Sequence, residues 1–311
     1  MVIDKIDLAI LRHLEKNGLW FNTLPEQLKL PLDSIRTRIK KMESEQVILR
    51  YQPTIFVPPF LGGEWVWGCV LINGDEREKI IKTICQKIPF ISEIWFCTNI
   101  PSNLGHNFSI IFYSKDFDSE VKFIKETVGV SYFSAYRIAN YSYPLTRIFS
   151  SEEKQLLKIL WTNPLADVAQ IAEVCQKNPM WVKSKLEKLI WSPQNLDGVI
   201  IVLPEIDYKR ITNFAHCHFL LSANQLPEQE LVSEDKSNLL KELKTYGFDV
   251  IFDGRLVLNK YLQIETDIWG FNDLIGKKIF LENYQGLKIH GIIIAEEMRV
   301  VSDWGKKLIE N

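Results

Sequence analysis

The chain repeats itself at long range, and this limits its fold more than any other feature. The segment DLAILRHLEKN, starting at Asp7, matches EKQLLKILWTN, starting at Glu153. Each has Leu or Ile at its fourth, fifth and eighth positions and ends in Asn. The offset is 153 − 7 = 146. Further on, SIRTRIKKM matches WVKSKLEKL, so that Arg38 falls on Lys185 and Ile39 on Leu186, an offset of 185 − 38 = 147. Solenoid repeats have periods of about 20–50 residues, so a repeat this long is a duplicated pair of domains.

The two copies share one order of elements. Apolar residues at helical spacing predict three short helices in the first copy, Ile6 to Lys16, Leu24 to Leu28 and Pro31 to Ser44. The third helix of the second copy has a clear start, with Asn178 to cap the free amides and Pro179 with its φ already set for the first turn. In the first copy Pro31 takes the same place behind the poorer cap Leu30. Each third helix leads into a β-rich stretch, Val47 to Val57 and Val199 to Leu203, expected to form the wing of a winged helix-turn-helix.

The remainder of copy one reads as strand EWVWGCVLI, helix DEREKIIKTICQKI, strands SEIWFCTNI and NFSIIFYS, helix FDSEVKFIKETV and strand SYFSAYRIAN. That order is βαββαβ, the ferredoxin-like plan. Copy two repeats it from FAHCHFLLS through SNLLKELKTYG, VIFDGRLVL, YLQIETDI and FNDLIGKKIF to KIHGIIIAEE, with a longer first loop at Asn224 to Asp235. The expected fold class is α+β, with two winged helix-turn-helix domains (1–58 and 148–208) alternating with two ferredoxin-like domains (59–147 and 209–311).

Along EWVWGCVL both alternating faces are apolar: Trp65, Trp67, Cys69 and Leu71 on one, Val66, Gly68 and Val70 on the other. Helices cover one face of such a sheet, so the other needs a partner. The other copy is the obvious one, and the chain is expected to fold as a pseudo-dimer of its own halves. Five cysteines without CxxC spacing give neither a zinc knuckle nor a disulfide framework. No stretch reaches the roughly 20 apolar residues of a membrane span, and MVIDKIDLAI carries two aspartates, so the protein is expected in the cytoplasm. A net charge of −2 argues against coating nucleic acid everywhere but leaves room for a local basic surface.

Such a surface lies on the third helix, where Arg36, Arg38, Lys40 and Lys41 face the single Asp33. In a helix-turn-helix the early residues of this helix meet the major groove. Asp33, Ser34 and Thr37 have the size to approach base edges, and the long cations suit phosphates. Lys183, Ser184, Lys185 and Lys188 are the counterparts in copy two, with Trp181 where a small polar residue would face DNA. A basic solvated face is the plainer alternative for both helices. His216 and His218 share one face of a strand; without a third ligand they read as interface histidines rather than a metal site.

IDKIDLAILRHLEKNG, LPEQLKLPLDSIRTRIKKMESEQVI and VPPFLGG before a βαββαβ unit together resemble the Lrp/AsnC family of feast/famine transcription regulators. The residues that carry the resemblance are Asp4 and Asp7, Arg38 with Ile39, and Val47 with Ile48. The usual member is half as long, so the chain looks like a tandem fusion. The resemblance implies binding to double-stranded DNA, assembly through the ferredoxin-like (RAM) halves, and a small-molecule effector such as an amino acid near Gly105, His106 and Asn107. Pro31 and Gln46 stand where the family has serine and glycine, and the family's loop motif before the third RAM strand is reduced to Gly105–His106–Asn107–Phe108. Siroheme decarboxylases also resemble Lrp/AsnC regulators and keep the same domain order without acting on DNA. Of their pattern WFCTNIPSNLGHNFSII keeps only His106 and Asn107, and no nucleophile, phosphate-loop or paired-carboxylate motif appears elsewhere. The expectation is therefore a transcription regulator that is not an enzyme and carries neither cofactor nor metal, with a siroheme decarboxylase-like enzyme or an interaction module as the alternatives.

Overall fold

The structure is a computed structural model that describes residues 1–18, 24–101, 105–128, 132–143, 146–192, 195, 197–223, 245, 248–249, 262–283, 287–301 and 303–310. Helix α1 (Lys5–Asn17) opens on a reciprocal cap: the Asp4 carboxylate accepts from the Ile6 and Asp7 amides, and the Asp7 carboxylate accepts from the Asp4 amide. Its counterpart α7 (Ser151–Thr162) opens on the same device, built from Ser150 and Glu153. After α2 (Leu24–Leu28), α3 (Leu32–Ser44) starts one residue later than the proline suggests. Pro31 is itself the cap and offers no side-chain hydrogen bond. In copy two, α8 (Val168–Cys175) is followed by α9 (Pro179–Leu189), where Asn178 accepts from the Met180 amide and Pro179 fills the first helical position as expected.

The stretches expected to be wings do something else. β1 (Ile48–Ile55) and β6 (Ile200–Asp207) pair antiparallel with each other, from Ile48 opposite Ile206 to Ile55 opposite Ile200. The cause is backbone satisfaction: a lone strand leaves its N–H and C=O groups unpaired, and the equivalent strand of the other copy supplies them. Core packing follows the exchange. Ile10, Leu11, Leu14, Ile35, Ile39 and Met42 of the first helix-turn-helix are sealed by Val202, Ile206 and Tyr208 from copy two. Ile55 and Phe60 of copy one in turn complete the core of α7, α8 and α9.

Copy one continues with α4 (Val57–Leu61), β2 (Gly63–Asn73), α5 (Arg77–Lys87), β3 (Ile91–Ile100), β4 (Phe108–Ser114), α6 (Phe117–Val128) and β5 (Tyr132–Tyr143). Copy two has a 3-10 turn at Tyr208–Arg210, then β7 (Ala215–Ala223), β8 (Phe248–Asp249), β9 (Leu262–Ile268), α10 (Gly270–Asn283), β10 (Leu287–Val300) and α11 (Asp303–Glu310). The loop expected at 224–235, the helix SNLLKELKTYG and the strand VIFDGRLVL lie outside the described residues, apart from Thr245. Two short elements went unread. α4 has prolines in its first turn and Gly62 at its end, the ordinary marks of a helix compressed into five residues. α11 packs against α7.

The strands form one sheet in the order β5-β2-β4-β3-β10-β7-β9-β8. Each half has the ferredoxin-like order, and the halves join edge to edge where β3 pairs antiparallel with β10. Val70, Ile72, Phe108, Ile110 and Phe112 pack beneath α5 and α6; Cys217, Phe219, Leu221 and Ile264 pack with Leu281 of α10. Phe108, Phe112 and Phe219 are fully buried, each stabilising the fold by roughly 1.5–3 kcal/mol relative to exposure. The fold is α+β, with helix-turn-helix units and ferredoxin-like sheets in tandem. Among the described residues no helix is long and apolar enough to cross a membrane.

Gly198 is held by crowding against main chain. A Cβ at Gly198 would lie 2.3 Å from the backbone of Trp191, where Trp191 donates to the Ile200 carbonyl. Gly198→Ala should therefore cost about 2 kcal/mol as overpacking against main chain, seen as a lower urea midpoint. An unchanged midpoint would show that this turn yields freely.

Candidate ligand site at the seam between the two copies

Strand alternation sets up the site. On β7, Cys217, Phe219 and Leu221 point toward α10, so His216, His218 and Leu220 point the other way, toward α1, β3 and the 105–107 loop. Arg12 of α1 reaches across, its Nη2 2.6 Å from His216 Nδ1, and it also donates to the Asp267 carboxylate on β9. His216 Nδ1 lies 3.0 Å from Asp267 Oδ1. Nδ1 can thus accept from Arg12 or, when it carries the proton, donate to Asp267. Burial would raise the Asp267 pKa, but His216 and Arg12 overcome it and hold the carboxylate below its ordinary range. Lys277 braces the strand by donating to the hydroxyl of Thr266 (2.8 Å) and to the Asp267 carbonyl.

Aromatic rings wall this group. Tyr208 stacks on His216 with ring centres 6.0 Å apart, and Trp95 stacks on Tyr208 at 6.2 Å. The Tyr208 hydroxyl donates to Glu15, which also takes a 2.9 Å ion pair from Arg12. Below Trp95 on the same face of β3 follow Cys97 and Asn99, and Cys97 packs with Leu220 and Ile293. Burial raises the Cys97 thiol pKa, so it is a packing group rather than a nucleophile.

The 105–107 loop closes the space. Gly105 has φ +81, and a Cβ there would come within 2.9 Å of Ile293. This lets His106 enter the interior, where it is 2% exposed, its ring centre 6.4 Å from that of His218; His218 and His216 are 5.4 Å apart. Burial, with a smaller effect of His218, pushes the His106 pKa down to about 3, so the ring is neutral at physiological pH. Among the described residues His106 Nδ1 has no hydrogen-bond partner, and neither do the amide nitrogen and oxygen of Asn99, 7% exposed, on the neighbouring strand. Buried polar groups in folded proteins are nearly always paired, and an unpaired one costs about 1–3 kcal/mol. The two side chains, Asn99 and His106, with His218 and His216 beside them, make this a candidate ligand site.

The residues expected to bind an effector divide. Gly105 and His106 enter the site, whereas Asn107 is spent on the Gly74 backbone, accepting from its N–H at 3.2 Å and donating to its carbonyl at 3.0 Å. On α3, Asp33, Ser34, Arg36, Thr37, Lys40 and Lys41 are exposed. Arg38 turns inward and bonds Asp7 (2.7 Å) and Asp4 (2.9 Å), tying α3 to α1. Thr37 donates to the Asp33 carbonyl at 2.8 Å, and Arg36 lies 3.5 Å from the Asp33 carboxylate. On α9, Lys183, Ser184 and Lys188 are exposed, while Lys185, with Lys177, lies over the ring of Trp181. Sequence reading singled out His106 for a ligand, read His216 and His218 as interface histidines, and did not single out Arg12, Asp267, Tyr208, Trp95 or Asn99. Each belongs to a different element and has no local motif to announce it.

An Lrp/AsnC-like pairing of helix-turn-helix with ferredoxin-like sheet, present twice, is the class of architecture these elements define. Among solved structures the chain is similar to the siroheme decarboxylase NirDL, with 14% identity, TM-score 0.46, and 98% of this chain and 99% of that one covered. The same protein in co-complex with an iron-uroporphyrin III analogue matches with 14% identity, TM-score 0.44 and 98% of each chain covered. A transcriptional regulatory protein of the AsnC family from Pyrococcus furiosus matches over 48% of this chain and 94% of its own, with 26% identity and TM-score 0.24. No protein-family model and no curated protein sequence matches the chain. The expectation that the protein is not an enzyme is corrected here: two matches that each cover 98% of this chain are structures of an enzyme, a decarboxylase.

Proposed function

We propose that the protein is an enzyme of the siroheme decarboxylase type, which binds a carboxylate-bearing iron tetrapyrrole at the seam. The observation that carries this reading is the convergence of His106, His216 and His218 from both copies with the unpartnered amide of Asn99. Removing carbon dioxide from an acetate side chain breaks one C–C bond, leaves the electron pair on the methylene carbon and needs one proton to make the methyl group. The residues suit those demands. Arg12 offers positive charge for a carboxylate. His216, held between Arg12 and Asp267, can carry a proton on either nitrogen and is the candidate donor. His106, kept neutral by its burial, can donate or accept a hydrogen bond or offer an imidazole nitrogen to iron.

The test is anaerobic incubation of the full chain with siroheme, followed by mass spectrometry of the pigment. Loss of carbon dioxide with wild type, reduced at least tenfold in His216→Ala, is the expected result. Unaltered pigment, together with no change in its absorbance on mixing, would reject the reading.

The exposed basic side of α3 supports contact with duplex DNA as a second reading. With Arg38 turned inward, the cations available to phosphates there are Arg36, Lys40 and Lys41. Lys40→Ala should then weaken binding to every duplex and reduce the salt slope by about one unit. A slope that does not move would remove Lys40 from the phosphate contacts.

A further inference from the structure

We infer that each chain holds one ligand site of this kind rather than two, because the position related to the seam site by the internal duplication is, among the described residues, filled by aromatic side chains and capped by α11. The inference builds on the tetrapyrrole reading for the choice of probe.

The equivalence follows from strand register. β2 and β4 pair over seven positions, from Val66 opposite Ser114 to Ile72 opposite Phe108. β7 and β9 also pair over seven, from Ala215 opposite Ile268 to Leu221 opposite Leu262. Superposing the two ladders end to end puts Trp67 where His216 stands, Cys69 where His218 stands and Tyr113 where Asp267 stands. Phe56, the residue after β1, falls on Tyr208, the residue after β6. Among the described residues the three counterparts are thus replaced, imidazole by indole and thiol and carboxylate by phenol; the segment corresponding to Asn99 and His106 lies outside the described residues.

The replacements fill space. Trp67 stacks on Tyr113 with centres 6.2 Å apart, and Phe56 packs edge-on against Tyr113 at 5.8 Å and Tyr141 at 5.1 Å. Burial drives the Cys69 thiol up to about 12 and Tyr113 well above the ordinary phenol range, so neither ionises at physiological pH. The helix facing this chamber differs as well. Aligning the two capping boxes puts Lys158, exposed on α7, in the place of Arg12, and Trp161 in the place of Glu15. A Cβ at Gly305 of α11 would lie 2.2 Å from the Trp161 ring, so α11 lies directly on it. Trp304 completes the cover, packed edge-on against Phe90 at 5.4 Å and donating to the Ile91 carbonyl at 2.6 Å. Among the described residues, Trp67 Nε1 is a buried donor without an acceptor beside it.

The experiment is an absorbance titration of the full chain with iron uroporphyrin III, done alongside thermal unfolding of ligand-free variants. Saturation is expected at one pigment per chain, with affinity at least tenfold weaker in His218→Ala and within about twofold of wild type in Trp67→Phe. Saturation at two per chain, or equal weakening in both variants, overturns the single-site inference. If wild type binds no pigment, the tetrapyrrole reading fails and unfolding decides the inference alone. Asn99→Leu, which removes unpartnered polar atoms from a site, should raise Tm by about 2 °C or more, and Trp67→His, which takes a large stacked ring out of a packed chamber and adds a second ring nitrogen, should lower it. Shifts of the same sign at both positions would refute it.

Discussion

Between pH 7 and pH 5 the protein should lose about 2 kcal/mol of stability that a His106→Leu variant keeps. The sign follows from where the proton goes. Burial takes the His106 pKa from 6.5 down to about 3, so the folded chain holds the ring neutral over a range where the unfolded chain protonates it. The stability tied to the neutral ring is complete above about pH 6.5. It falls as pH drops toward 3, by up to about 1.4 kcal/mol per unit, and 1.5 units of that slope give about 2 kcal/mol. Urea midpoints at the two pH values, wild type minus variant, read it directly, since other titrating groups are common to both proteins. A difference that does not vary with pH would mean that His106 meets water in the folded state, and the closed form of the loop would have to be abandoned.

Asp267→Ala should cost about 2 kcal/mol near neutral pH. The carboxylate is the shared anchor of Arg12 and His216, joining α1 of one copy to β7 of the other. Breaking a buried pair typically costs about 3–5 kcal/mol by leaving a charge uncompensated. The figure is discounted because the Arg12 and Asp267 side chains are 29% and 25% exposed and Glu15 still holds the guanidinium. The double variant Arg12→Leu/Asp267→Leu should recover most of the loss, since apolar groups of similar size leave no charge behind. Because the Asp267 pKa is held low, its contribution is present above the ordinary carboxylate range and fades as pH falls through it. Equal stability of the two variants would show that the ion pair does not join the copies.

Much of the fold was legible because it is written in local periodicity. Alternation along EWVWGCVL and FAHCHFLLS, the three-helix pattern from Asp7 and the Asn178–Pro179 start survive as β2, β7, α1 to α3 and α9. The failures arose where distant segments meet. Val47 to Val57 has the composition of a wing, and only the presence of its twin 152 positions on, from Ile48 to Ile200, makes cross-pairing the better solution. Of the candidate site only Gly105 and His106 were marked for a ligand in the sequence, and His216 and His218 read as interface histidines. Arg12 reads as the solvated side of a helix, Asp267 as the end of a strand and Asn99 as an ordinary strand residue. What makes them a site is proximity across sequence separations of up to 255 residues.

The pairing of β1 with β6 has a consequence for how such a chain can vary. In an assembly of two identical subunits, each substitution appears twice, so a histidine placed at one position of the interface appears at its mate as well. Here the mates are separate codons. His216 and Trp67 can be chosen independently, and a change that loosens one chamber can be offset by tightening the other. Joining the halves in one chain also makes their association unimolecular, so dilution cannot part them and a weakened interface shows up as unfolding instead of dissociation.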